Sequence, residues 1–250
     1  MKLKKMEIDM KNKTIFAVLF GIIALLSSCG VSNKRIIRLQ KMEERVGNPT
    51  TIEELTDAIA KYDERIADLQ LSEQQVGIWY KILGTRYLDN KMYGKALESF
   101  QTALQYYPDN QNLYYYVGVC AGYMSHTALD FDASGNMEKR LNYLKLAESA
   151  YIRAITIEER YARALYALGV LYVFELDESD KAIPYLEKLL TIETRHIDGM
   201  FVLARAYYSN SEFDKAAALY DKIIATTKSP EKKAEAEANK KIVLNVSYGM

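Results

Sequence analysis

Apolar residues recur at intervals of three and four through most of the chain after residue 33, which is the period of amphipathic helices. Asn33–Val46 carries Ile36, Ile37, Leu39 and Met42. After a Gly47-Asn48-Pro49 break, Thr51–Leu69 carries Leu55, Ala58, Ile59, Tyr62, Ile66 and Leu69. Near the other end Ser229-Pro230 reads as a helix start, because proline is tolerated in the first turn. Residues 230–246 then set Ala234, Ala238, Ile242 and Val246 on one face, with charges elsewhere. One segment, Ile15–Leu26, is apolar throughout, but its twelve residues fall short of the roughly 20 that a membrane-spanning helix needs.

Between residues 77 and 228 the pattern repeats. Tyr80, Leu83, Gly84 and Tyr87 are followed by Ala96, Phe100, Ala103 and Pro108. Tyr114, Val117 and Gly118 fall 34 residues after Tyr80, Leu83 and Gly84. Leu165, Leu168, Gly169 and Tyr172 open a third unit, with Ala182, Leu186 and Leu189 following one residue late. Met200, Leu203, Ala204 and Tyr207 open a fourth, followed by Ala216, Tyr220 and Ile223. Each unit reads as two antiparallel helices. Gly84 and Ala96 let them approach, Leu83, Tyr87 and Phe100 fill the space between, and Pro108 ends the second helix.

These spacings resemble the tetratricopeptide repeat, and the resemblance covers residues 77–228. It implies an all-α, tetratricopeptide-type α-solenoid of antiparallel helix pairs. An N-terminal helix pair occupies 33–72, where Ala58 and Tyr62 echo the second-helix pattern of a diverged repeat. Four units occupy 73–228, and a capping helix and tail occupy 229–250. Trp79 stands one place before the usual aromatic, Ala204 replaces the usual glycine, and units three and four lack the closing proline. Pro184 lies early in a second helix, where its missing N–H does little harm. Unit two is the irregular one. Its second helix holds Ala147, Tyr151 and Ala154, and Ala147 lies 29 residues after Gly118, where Ala96 lies 12 after Gly84. The extra residues lengthen both helices and widen their connection near 124–140. Insertions of this kind map to loops on one face, often a working one.

The N-terminal order of Lys11-Asn12-Lys13, apolar run, Ser27-Ser28 and Cys29 is that of a secretory signal. A start at Met10 would give it a compact basic region. Cysteine at the cleavage point makes it resemble a bacterial lipoprotein signal. The resemblance implies that residues 1–28 are removed, that Cys29 is lipidated, and that 29–32 form a short tether reaching roughly 14 Å. Gly30, with no aspartate beside Cys29, favours the periplasmic face of the outer membrane. Removing 1–28 takes away five lysines and two acids, leaving 28 basic against 31 acidic residues. That balance, with no basic block, argues against nucleic acid as a partner. Cys120 is the one other cysteine, so no internal disulfide forms once Cys29 is lipidated.

Catalytic chemistry is hard to find. His126 and His196 are solitary, with no zinc spacing. Cys120 lacks basic neighbours and reads as packing, and no phosphate loop or nucleophile elbow is present. The expectation is a non-enzyme without a cofactor. Asp130, Asp132 and Ser134, followed by Gly135, match the first half of a calcium loop. The twelfth position is Leu141 rather than an acid, although Glu138 lies nearby, and a polar turn explains the same residues. The groove is the stronger candidate. The resemblance sets the first helix of each unit on one face, and counting along that face gives Ile78, Lys81 and Thr85; Tyr115, Val119 and Tyr123; Arg163, Tyr166, Val170 and Phe174; and Asp198, Phe201, Arg205 and Tyr208. Tyrosine offers rigid contact area with a polar tip, which suits a peptide or other extended ligand. Lys81 and Arg163 stand where a carboxylate clamp has bases, but Thr85 and Tyr116 replace its asparagines, so a clamp is not supported. The function expected is a membrane-anchored scaffold binding a protein or peptide of the cell envelope. An accessory component of a periplasmic solute transporter and an outer-membrane assembly factor are the alternatives, and the oligomeric state stays open.

Overall fold

The structure is a computed structural model that describes residues 49–127 and 136–247. The leader, Cys29, the Asn33–Val46 segment and the Asp130, Asp132, Ser134 loop lie outside the described residues. Among those described there are nine α-helices and no strand, and none is long and apolar enough to cross a membrane. The chain divides into two compact units at Leu69 and Gln70.

The described part of the first unit is the opening of α1 (Ile52–Asp89). A capping box starts it. The Glu54 N–H donates to Thr51 Oγ1 at 3.2 Å, and the Glu54 carboxylate accepts the N–H groups of Thr50 and Thr51 at 2.9 and 3.1 Å. Those bonds hold the Glu54 carboxyl below its ordinary value. The helix continues without a break past residue 72, where the sequence reading changes from one pair to the next. No proline or glycine stands between Leu69 and Val76 to stop it.

In the second unit, helix pairs follow one another. α2 (Tyr93–Tyr106) completes unit one, and α3 (Gln111–Thr127) with α4 (Asn136–Ile157) makes unit two. Unit three is α5 (Ala162–Val170), which runs into a π-helical turn at Leu171–Glu175, and α6 (Ser179–Ile192). Unit four is α7 (Ile197–Ser209) with α8 (Phe213–Thr226), and α9 (Pro230–Ser247) packs on α8. The architecture is a tetratricopeptide-type α-solenoid. Its pairs close on glycine: a Cβ at Gly84, Gly118 or Gly169 would come within 2.8, 2.4 or 2.5 Å of Phe100, Tyr151 or Leu186. Ala204 fills the same place in unit four and is fully buried.

Units one, three and four share one turn. A residue in the left-handed region, Lys91, Asp177 or Ser211, follows the first helix. The N–H of the next residue then returns to the carbonyl of the repeat tyrosine: Met92 to Tyr87, Glu178 to Tyr172, Glu212 to Tyr207. That span is one residue longer in unit three. The π turn absorbs the extra residue, with the Leu176 N–H donating to the Leu171 carbonyl five positions back. This is the physical form of the late second helix seen in the sequence. A second device ties successive pairs. The Tyr172 hydroxyl donates to Glu148 at 2.7 Å, the Tyr207 hydroxyl donates to Glu187, and a lysine, Lys181 or Lys215, lies over each ring.

Three expectations are corrected. Leu83 does not fill the interior of unit one; it is 40% exposed, where Leu168 and Leu203 are buried. The later units each have a preceding second helix against that side, and unit one has none within residues 70–247. Pro184 lies at the sixth position of α6, beyond the first turn, so one helical hydrogen bond is absent there. In α9 the buried residues are Ala236 and Val243, whereas Ile242 and Val246 are exposed. A strict spacing of four drifts about 40° per step around a 3.6-residue helix, so the Ala234-to-Val246 series leaves the packed face.

Candidate functional site

A cleft of about 300 Å³ opens between α3, α4 and α5 with its π turn. Tyr115, Val119, Gly122, Tyr123 and His126 line one wall. Their spacing of three and four puts them on one face of α3. Ala167, Val170, Leu171 and Glu175 line the opposite wall, and Tyr151 of α4 forms the floor. α3 and α4 are the long helices of unit two, and the π turn brings Glu175 into the lining.

Each lining group has a distinct setting. Tyr123 is half exposed and stacks on Tyr93 with ring centroids 4.4 Å apart. Tyr115 packs among Tyr116, Tyr151 and Tyr161, and the Arg163 guanidinium lies 4.3 Å above its ring. Glu175 accepts Arg140 at 2.7 Å and contacts His126 Nε2 at 3.3 Å. Its charge is therefore matched inside the protein. Gly122 stands apart from the packing glycines, because a Cβ placed there would meet nothing within 4 Å.

Tyr151 is 6% exposed, and its ring passes against the bare backbone of Gly118 to reach the cleft. Burial first, and then the neighbouring Tyr115, Cys120 and Tyr123, raise its phenol above the ordinary value. Unlike Tyr172 and Tyr207, its hydroxyl has no hydrogen-bond partner among the described residues.

The other residues expected in the groove fall into smaller groups. Val170 joins the cleft wall, and Phe174 stands on the π turn, 57% exposed. Tyr166 does not line this cleft; its ring packs on His196, 4.9 Å away. Phe201 meets Tyr220 edge to face, while Arg205 lies over Tyr208. Arg205, Tyr208 and Tyr220 share a second cleft of about 90 Å³ with Asn239, Ile242 and Val243 of α9. Asp198 is engaged by Lys232. Lys81 lines neither cleft; its carbonyl accepts the Thr85 hydroxyl at 3.0 Å.

Sequence reasoning named the cleft's aromatic wall but missed Gly122, Tyr151, Arg140 and Glu175 as parts of a site. The one available signal was Gly122 itself, a helical glycine at no repeat position. Cys120 is fully buried, and burial pushes its thiol up to about 12, which makes it a poor nucleophile. His196 caps α7, its Nδ1 accepting the Gly199 N–H at 2.8 Å. Among the described residues no group of three or more His, Cys, Asp or Glu could hold a metal ion.

Two tetratricopeptide-repeat family models match the chain, at residues 162–196 and 200–234. A TPR repeat-containing protein of Borreliella burgdorferi is 27% identical over 217 residues, which covers 85% of this chain and 92% of that one. Among solved structures, a thermophilic TPR protein of Thermus thermophilus matches with a TM-score of 0.50 at 24% identity, over 66% of this chain and 79% of that one. The protein YrrB, described as a TPR protein with an unusual peptide-binding site, matches with a TM-score of 0.52 at 22% identity, over 75% and 85%. MamA matches with a TM-score of 0.52 at 22% identity, over 75% and 99%.

Proposed function

We propose that this chain is a scaffold of the cell envelope, lipid-anchored at Cys29, that holds a segment of a partner protein along the face of its first helices. The observation that carries the reading is the aromatic cleft on that face. Stacked helix pairs present extended binding surfaces, and this cleft combines tyrosine walls with an open side. The open side favours an extended segment over a solute held in a closed pocket, so the scaffold reading is preferred to a solute-transport component. The peptide-binding site named for YrrB, a protein of like fold, supports the same choice. The leader, with its basic, apolar and small segments ending in Cys29, supports the anchor.

Two experiments test the reading. Mass measurement of the mature N-terminus should find a lipid-modified Cys29, and Cys29→Ser should abolish partitioning into detergent; an unmodified N-terminus at Met1 or Met10 would remove the anchor from the proposal. Affinity capture from detergent extract should recover a partner with the wild-type chain and lose it with Tyr123→Ala/Phe174→Ala. Both of those rings are about half exposed, so the fold should survive. Each aromatic anchor commonly costs about 2 kcal/mol or more when truncated, so the pair should lose roughly a hundredfold in affinity or more. Undiminished capture would sink the groove.

A further inference from the structure

We propose that the cleft over Tyr151 receives one uncharged aromatic side chain with a polar tip, a tyrosine of an extended partner segment whose hydroxyl pairs with that of Tyr151. This rests on the scaffold reading and specifies what one part of that face selects.

The floor supplies the first argument. The Tyr151 ring is buried, but its hydroxyl is not a buried atom left unpaired; it reaches the open cleft and has no partner among the described residues. Packing at this position does not require a hydroxyl. The equivalent positions are Phe100 in unit one and Leu186 in unit three, which close their helix pairs with no polar atom, and Tyr220 in unit four, which borders the second cleft. Tyrosine here does the same packing and adds a hydroxyl at the open cleft.

Gly122 supplies the second. Glycine inside a helix is unfavourable relative to alanine, and at Gly84, Gly118 and Gly169 close contact with the facing helix explains it. At Gly122 no contact does, since a Cβ would find open space. What the missing side chain provides is room in the cleft, next to the Tyr123 ring.

Charge and size narrow the occupant. Glu175 is already matched by Arg140, so a charged tip would find no free counter-charge there. The walls are tyrosine faces and aliphatic carbons, and the volume lies at the small end of ligand pockets, suited to a single large side chain. A flat apolar body that carries a neutral hydrogen-bonding atom at its far end meets these conditions, and tyrosine is such a side chain.

Ligand-observed NMR on the full chain in detergent tests this with N-acetyl-tyrosinamide, N-acetyl-phenylalaninamide and free tyrosine as probes. The tyrosine amide should bind about five- to tenfold more tightly than the phenylalanine amide, the worth of one neutral hydrogen bond. Tyr151→Phe should erase that preference and keep the phenylalanine amide. Gly122→Leu should abolish both, with circular-dichroism melts at or above wild type. Equal binding of the two amides to wild type, or full binding by Gly122→Leu, would overturn the proposal and leave the scaffold reading standing if Tyr123→Ala/Phe174→Ala still loses the partner. Free tyrosine binding more tightly than its amide would overturn the peptide source. A cleft that discriminates the amides in a chain that captures no partner would overturn the scaffold reading instead.

Discussion

Units three and four follow the repeat pattern closely enough for family models to match them, whereas unit two, which those models do not match, supplies one wall and the floor of the larger cleft. The two regions use the same parts differently. In units three and four the repeat tyrosines Tyr172 and Tyr207 are sealed by Glu148 and Glu187 and roofed by lysines. In unit two the buried tyrosine of the second helix, Tyr151, has no partner for its hydroxyl among the described residues and borders a cleft, as Tyr220 of unit four does at the smaller one. The sealed Tyr172 and Tyr207 show what the fold needs. Unit two shows what remains when a residue obeys the fold and also does something the fold does not ask for. A local rule broken without structural gain is the mark of a functional position.

The largest test of this contrast concerns glycine. Gly118→Leu and Gly169→Leu should each destabilise by about 3 kcal/mol or more, since a Cβ already comes within 2.4 and 2.5 Å of the facing side chain and overpacking typically costs about 1–3 kcal/mol, occasionally more. Denaturant or thermal melts measure it. Equal losses would show that unit two is packed as tightly as unit three where the helices cross, so that its difference is confined to the cleft. Melts like wild type would mean that the repeat register is wrong.

A smaller effect separates the tyrosines. Tyr207→Phe removes a bond to a carboxylate at a buried ring and should cost about 1–2 kcal/mol, below the range for fully buried charged bonds because Glu187 is solvated. Tyr151→Phe removes no bond and should change stability by less than about 0.5 kcal/mol. Alkali sharpens the same pair. Burial first, and in two cases a bonded glutamate, raise the phenols of Tyr151, Tyr172 and Tyr207 above the ordinary value near 10. A raised folded value leaves stability intact below about pH 10 and lost progressively above it, because the unfolded chain ionises first. Melts at rising pH should show that loss, and Tyr151→Phe should soften it. Stability flat through pH 11 would contradict the burial of all three.

The register of the repeats was legible because glycine, alanine and aromatic residues at fixed spacing have few packed solutions. Gly84, Gly118 and Gly169 each stand where a helix must touch. The late second helix of unit three was legible as a count, Gly169 to Ala182, but not as a π turn, since nothing local distinguishes that turn from a longer loop. Exposure at Leu83 was not legible because it depends on which helix packs beside it rather than on the residue. The cleft was half legible. Tyr115 and Tyr123 follow from helical counting, but the Arg140–Glu175 pair joins α4 to the π turn across 35 positions. The unpartnered hydroxyl of Tyr151 belongs to a residue that reads as core, and only its surroundings reveal it.

The smallest expected effect runs against the usual direction of mutation. Gly122→Ala should raise stability by up to about 1 kcal/mol, the helix-propensity difference between the two residues, because the added methyl meets no atom within 4 Å. Gly118, one helical turn earlier on α3, should respond oppositely, since its Cβ falls 2.4 Å from the Tyr151 ring. Melts of the two alanine variants side by side thus compare the closed and open faces of one helix, with chain length, leader and neighbours held constant. Capture of a partner should weaken in Gly122→Ala although the protein is more stable, because the methyl narrows the cleft at Tyr123. Loss of stability in Gly122→Ala would mean that the glycine serves packing after all, and the contrast between the two faces would collapse.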